Sequence, residues 1–192
     1  MPRVGLDPEQ VVAVAAGLAD AEGLEAVTLA RVAQSFGVKP PSLYNHVDGR
    51  DALVRAIGLR GLDELAGALR EAAVGRSGAD ALLAAAGAYR SFVMEHPGQY
   101  AAGAVAAPGE DAELAAAGAA VLDVMRGVLR AWDLSGDDEL HALRAFRAAV
   151  HGFATLEAAG GFGLKLDLDT SFTRLITALA QGLHQGLQVD DA

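Results

Sequence analysis

Apolar residues recur at three- and four-residue spacing along most of the chain, and Gly, Pro, Ser and Asp mark the breaks between runs. Period-two strand patterns and internal repeats are absent, so the pattern predicts an all-α protein of about nine helices. The first run, Val11, Val12, Ala15, Leu18 and Ala19, follows Asp7 as N-cap and Pro8 at the first helical position, with Gln10 at capping-box spacing. Gly23 stops it. Leu29, Val32, Ala33 and Phe36 form the apolar face of a shorter helix capped by Thr28. A tight turn follows at Phe36-Gly37-Val38, where glycine can enter the left-handed region without a Cβ clash.

Pro40 and Pro41 fit only the first turn of a helix, where a missing N–H is harmless, so a third helix of about seven residues spans Pro40 to His46. It is too short to be stable alone. Leu43 and Val47 anchor it inward, leaving Ser42, Tyr44, Asn45 and His46 to face outward. A helix with so little inward material is there to be presented, and a helix-turn-helix explains that economy. Asp48 caps a fourth helix, whose stripe of Leu53, Val54, Ile57, Leu62, Leu65 and Leu69 reaches about Ala73.

Beyond a Gly/Ser loop, helices are predicted at about 79–95, 98–106, 111–132, 135–159 and 169–188, separated by His96-Pro97-Gly98, Pro108-Gly109, Ser135 and Gly160-Gly161. Ser135 and Asp138 stand at capping-box spacing. The last helix carries the cleanest stripe: Phe172, Leu175, Ile176, Leu179, Leu183 and Leu187.

The stretch FGVKPPSLYNHVDGRDALVRAI resembles the DNA-binding signature of the tetracycline-repressor (TetR) family. The pattern Gly-Val-x-x-x-(Ser/Thr/Ala)-Leu-Tyr-x-His-(Phe/Val) is matched at Gly37, Val38, Ser42, Leu43, Tyr44, His46 and Val47. The second half, Tyr89 to Ala102 and Leu143 to Leu179, resembles the WHG-type C-terminal domain of one TetR subgroup, with His151, Gly152, Leu156, Glu157, Gly160 and Phe172 in place. Phe146 stands for the tryptophan of that type. The resemblance implies a helix-turn-helix head over residues 1–47, a connecting helix over 48–73 and a ligand-binding and dimerisation domain over 74–192.

Charge qualifies the picture. The 192 residues carry a net charge of −10, which argues against a nucleic-acid partner. Residues 1–61, however, hold six cations against seven acids, whereas residues 62–192 hold nine against eighteen. The acidity belongs to the part held away from phosphate, and a near-neutral head implies modest, salt-dependent non-specific affinity. The chain has no cysteine, no credible membrane span and no apolar core in its opening MPRVGLDPEQ, so a cytoplasmic protein is expected.

For DNA, the resemblance implies phosphate contacts from Tyr44 and His46, with Ser42, Asn45 and Lys39 near phosphates or base edges. Pro40 and Pro41 suit a thymine methyl, Thr28 and Arg50 flank the groove, and Arg3 can enter a minor groove from an arm. Asp48 and Gly49 occupy a turn where the family often has Lys or Arg.

For a ligand, the expected lining between the fifth and eighth helices is Phe92, Tyr100, Leu122, Met125, Leu129, Phe146, Val150 and Phe153. Glu157 continues that stripe, where a carboxylate requires a partner: His151, an arginine, or a polar ligand group. Gly152 in mid-helix suggests a close helix approach. The five histidines lack metal spacing, and no nucleophile elbow or phosphate loop is present, so no catalytic residue, metal or cofactor is expected.

The function expected is a ligand-responsive transcriptional repressor, released from a palindromic operator in double-stranded DNA by a small molecule. It is expected to be a homodimer joined through Phe172, Leu175, Ile176, Leu179 and Leu183. The competing readings are a helical small-molecule carrier or sensor without DNA binding, separable by salt-dependent duplex binding, and an all-α enzyme, which a co-purifying metal or cofactor would reveal.

Overall fold

The computed structural model describes residues 7–105 and 111–184. The helices are α1 (Pro8–Glu22), α2 (Leu29–Ser35), α3 (Arg50–Ala73), α4 (Gly78–Glu95), α5 (Pro97–Val105), α6 (Ala112–Leu129), α7 (Gly136–Ala158) and α8 (Leu168–His184). Three 3₁₀ segments, Leu24–Ala26, Pro40–Asn45 and Arg130–Trp132, complete them, and the described residues contain no strand. The third helix of the sequence reading is thus the 3₁₀ segment Pro40–Asn45. Two successive prolines remove two amides, and the first amide after them, that of Ser42, reaches back three residues to the Lys39 carbonyl at 2.9 Å.

Cα packing divides the chain into two units: residues 1–64 with 95–118, and residues 65–94 with 119–192. The sequence reading kept 74–192 together. Residues 95–118 instead cluster with the head, for reasons visible in the backbone.

In the first unit, Val11, Ala15, Val27, Val32, Leu43, Leu53 and Ile57 form a core that is 1% exposed or less. The Asp7 carboxylate accepts from the Glu9 amide, and the Thr28 hydroxyl from the Arg31 amide, each at 3.2 Å. After α2, Gly37 takes φ 64°, its amide donating to the Gln34 carbonyl and that of Val38 to the Ala33 carbonyl, each at 3.0 Å. That pair of bonds is the Schellman closure.

Helix α5 joins this unit through α1. The Asp20 carboxylate accepts from the amides of Gly98 and Gln99 and from Gln99 Nε2, each at 2.9 Å, and lies 3.1 Å from His96 Nδ1. An acid from α1 therefore caps the N-terminus of α5, where backbone amides and the helix dipole favour negative charge. The approach depends on glycine. A Cβ at Gly98 would sit 2.2 Å from the Ala19 carbonyl carbon, and one at Gly61 on α3 would sit 2.8 Å from the Gln99 carbonyl oxygen.

The second unit is packed by larger side chains. Tyr89 on α4 meets Phe146 on α7 edge to face at 6.2 Å, and Phe153 on α7 meets Phe172 on α8 at 5.1 Å. Trp132 donates its indole N–H to the Ala180 carbonyl at 3.2 Å, tying the end of α6 to α8. Ser135 occupies the N-cap of α7, but its side chain makes no capping bond, unlike the expected box. At Gly152 a Cβ would meet nothing within 4 Å among the described residues of the protomer, so any close helix approach there would have to come from outside them.

Candidate nucleic-acid interface and regulatory core

The 3₁₀ segment hangs on one buried side chain, Leu43, fully enclosed by the first unit. Around it Lys39, Pro40, Pro41, Tyr44 and Asn45 are exposed, with Tyr44 at 59%, while Ser42 and His46 are half-buried. The expected contact residues of this segment thus share one exposed projection. Asp48 is exposed beside it. Arg3 lies outside the described residues.

Thr28 and Arg50 sit differently from expectation. The Thr28 hydroxyl is engaged as the α2 cap. The Arg50 guanidinium turns inward, Nε donating to the Val27 carbonyl at 3.0 Å and a terminal nitrogen to the Leu24 carbonyl at 2.9 Å. The Val27 carbonyl lies at the end of a short 3₁₀ segment, where intrahelical partners run out, and the Leu24 carbonyl accepts the guanidinium beside its bond from the Val27 amide at 3.1 Å. Arg50 therefore ties the start of α3 to the α1–α2 linker, and is corrected from a groove-flanking residue to a positioning one. No local pattern marks such a pairing between positions 24–27 and 50.

Arg55 fixes α3 a second time. It holds Asp111 through two bonds, one of them to Oδ1 at 2.8 Å, and Glu113 at 2.7 Å. Asp111 meanwhile caps α6 through the amides of Glu113 and Leu114 at 3.1 and 3.2 Å. The Arg55 guanidinium, helped by those amides, holds the Asp111 carboxyl down at about 2. Helices α3 and α6 each contribute residues to both units: 50–64 and 112–118 to the first, 65–73 and 119–129 to the second.

Of the expected ligand lining, Phe92, Met125, Leu129, Phe146, Val150 and Phe153 are buried in the second unit. Leu122 is 39% exposed although it shares the i, i+3, i+7 face of α6 with the buried Met125 and Leu129, one to two turns further along; it is corrected from lining to surface. Tyr100 belongs to the first unit.

Glu157 finds an arginine, one of the partners its burial demanded. Arg90 on α4 grips it with two bonds of 2.6 Å and reaches Asp169 on α8 at 2.7 Å. The guanidinium lies 5.4 Å from the Phe153 ring centroid and 5.0 Å from that of Phe172. Arg90 and Glu157 are 17% and 14% exposed, so this is a semi-buried, fork-to-fork pair that joins three helices. The carboxylates, Glu157 first, raise the Arg90 pKa further above its already high value, so the guanidinium stays charged.

Phe172, Ile176 and Leu183 of the expected dimer seam are buried within the protomer. They cannot also face a partner, and are corrected to core. Leu175 is 36% exposed and Leu179 half-buried, one helical step around α8. Amphipathic spacing identified an apolar face without telling which chain covers it.

Two family models match the chain. The one described as "Bacterial regulatory proteins, tetR family" covers residues 11–57, and the one described as "Tetracyclin repressor-like, C-terminal domain" covers residues 82–179. The chain is similar to the uncharacterized HTH-type transcriptional regulator Rv0681 of Mycobacterium tuberculosis, at 36% identity over 94% of this chain and 83% of the relative. It is also similar to the uncharacterized HTH-type transcriptional regulator YobS of Bacillus subtilis, at 33% identity over 95% of both. Among solved structures, a protein of unknown function from Rhodococcus sp. RHA1 superposes with a TM-score of 0.77 at 28% identity, over 97% of this chain and 98% of that one. With the helix-turn-helix geometry at its N-terminus and these matches over most of its length, the chain belongs to the TetR family of DNA-binding transcriptional regulators.

Proposed function

We propose that the protein is a cytoplasmic repressor that binds a palindromic operator as a two-fold dimer and is released by a small molecule. The observation that carries the DNA half is the set of exposed residues Lys39, Pro40, Pro41, Tyr44 and Asn45, Tyr44 at 59%, on a head tightened by backbone contacts. One six-residue segment touches too few bases for specificity, so two copies are required, one per half-site. Lys39, Tyr44 and Asn45 are the leading contacts, with Pro40 and Pro41 against methyl groups and Ser42 and His46 at the edge.

The dimer surface proposed here is a revised one. On α7 it comprises Ala145, Ala148, Gly152 and Leu156, and on α8 Leu175, Ala178, Leu179 and Gly182. The members run at three- and four-residue spacing, are exposed or half-buried, and a Cβ on either glycine meets nothing within the protomer. Small residues of this kind let two helix pairs come close. Ligand would favour a second arrangement of α3 and α6, the helices contributing to both units, and so change the separation of the two projections.

Selection from random duplexes, followed by anisotropy at several salt concentrations, tests the reading. Two symmetric half-sites about one DNA turn (~34–36 Å) apart and a falling log-affinity with log-salt are expected. An asymmetric single site, or no enrichment, would sink it. Leu175→Arg should convert the dimer to monomers in sedimentation velocity, and an unchanged dimer would disqualify the α7–α8 surface.

A further inference from the structure

The second unit contains a solvent-open cavity of about 800 Å³ between the last turn of α3, the loop into α4, the first turn of α4 and the later half of α6. None of the side chains expected from sequence to line a ligand site borders it. Its walls are small and apolar, with Ala73, Val74, Ala81, Val124 and Val128 among them, and such truncated side chains leave room that larger residues would fill. Val74 is 70% exposed, an apolar group left in water beside the opening.

Three arginines border the same space: Arg70, Arg76 and Arg130. What sets them apart is that they border one space, since Arg144, Arg147 and Arg174 on α7 and α8 likewise hold no carboxylate among the described residues. Arg31 and Arg60 each hold a carboxylate at 2.6 Å, and Arg55, Arg90 and Arg126 hold two apiece. At the cavity, Arg76 donates to the Ala72 carbonyl at 2.6 Å, which satisfies a donor without neutralising the charge. Arg70 and Arg130 have no carboxylate partner among the described residues. The acid that borders the cavity, Asp123, is paired with Arg126 at 2.8 Å, outside the lining. In a chain with net charge −10, three guanidinium groups around one cavity without a carboxylate of their own form an anion-attracting field.

We infer that this cavity binds a small organic acid: a carboxylate head held by Arg70 and Arg130, with Arg76 adding to the field, and an apolar body laid against the alanine and valine walls. The planar fork of arginine matches a carboxylate in a way that lysine does not. The volume is that of ordinary small-molecule sites, roughly 300–1,000 Å³. The regulatory consequence, unlike the binding itself, rests on the ligand-responsive reading above: an occupant would touch both α3 and α6.

Isothermal titration of the full-length protein with octanoate, octanol, octyltrimethylammonium and inorganic phosphate tests the inference. Octanoate should bind saturably, one per chain, and the neutral, cationic and tail-less probes at least about tenfold more weakly, since each lacks either the charge-assisted bonds or the apolar body. The double variant Arg70→Gln/Arg130→Gln should lose octanoate affinity about tenfold or more while its melting temperature stays within a degree or so, because both residues are surface-exposed. Single variants at Arg144 and Arg147, on α7 and outside the lining, should leave octanoate binding unchanged. No saturable octanoate binding, equal binding of octanol, or unchanged octanoate binding in the double variant would each overturn the proposal. Anisotropy on the selected duplex separates the two readings. Octanoate that binds through the arginines without altering duplex affinity supports the site and removes the ligand-responsive role. Release that persists undiminished in the double variant overturns the site and leaves that role standing.

Discussion

In the first unit the helices meet backbone to backbone: the α-carbon of Gly98 lies against the main chain of Ala19, and that of Gly61 against the carbonyl of Gln99. In the second unit they meet through rings and a guanidinium, with Arg90 clamped between Glu157, Asp169, Phe153 and Phe172. Backbone contacts have no rotamers to change, so the first unit holds Tyr44 and its neighbours in one place. Side-chain contacts can repack, and a core that repacks can open toward a ligand. Rigidity therefore belongs where geometry is read out, and adjustable packing where a signal enters.

The largest effect should come from the second unit's clamp. Glu157→Ala leaves the Arg90 charge with only the exposed Asp169, and the cost of orphaning a partly buried charge is about 3 kcal/mol, read as a fall of several degrees in melting temperature. Replacing both partners with apolar residues, as in Arg90→Met/Glu157→Leu, should recover most of that loss. A single variant as stable as the parent would mean that the clamp contributes little.

Next is the backbone lock. Gly98→Ala places a methyl carbon inside the main chain of α1 and should cost about 1–3 kcal/mol, with weaker duplex binding as the head loosens. Gly17 lies on the same helix α1, with nothing within 4 Å of a Cβ, so Gly17→Ala should instead stabilise by about 0.5–1 kcal/mol. Effects of the same sign at both positions would refute the contrast.

The smallest effect is one of pH. Asp111 has its folded pKa depressed to about 2 from 3.8, so its contribution is complete above the higher value and is lost as pH falls through the lower. Chemical-denaturation midpoints of the parent and Asp111→Asn should therefore differ at neutral pH and converge between about pH 4 and pH 2. A gap that persists at the acid end would assign the stabilisation to something other than the Arg55 pair.

What was legible in the chain was local chemistry. Asp7, Thr28 and Gly37 act as cap, cap and left-handed turn because each needs only its neighbours within a few residues. The motif from Gly37 to Val47 marked the presented segment, although two prolines tightened it from α-helix to 3₁₀. Pairings between distant positions were not legible. Arg50 turns to carbonyls at Leu24 and Val27, and Asp20 caps a helix starting at Pro97. One clue was available for Asp20: an acid in the last turn of a helix opposes the dipole and calls for a partner, as Glu22 does in pairing with Arg31. The spacing on α8 identifies an apolar stripe, but spacing cannot distinguish burial by α7 from burial by a second copy. Within the protomer Phe172 is 3% exposed and Leu175, three residues on, 36%. The arginine-bordered cavity draws on two stretches, 70–81 and 120–131, and no short window contains both.

The central claim is that the Tyr44 side chain, unlike that of its buried neighbour Leu43, is held out for DNA and does nothing for the fold. It is tested most directly by fluorescence anisotropy of Tyr44→Ala on the selected duplex, alongside its melting curve. The account predicts stability within about 0.5 kcal/mol of the parent, since Tyr44 is 59% exposed, with duplex affinity reduced about tenfold or more. Undiminished duplex affinity, or a loss of binding matched by loss of fold, would contradict it.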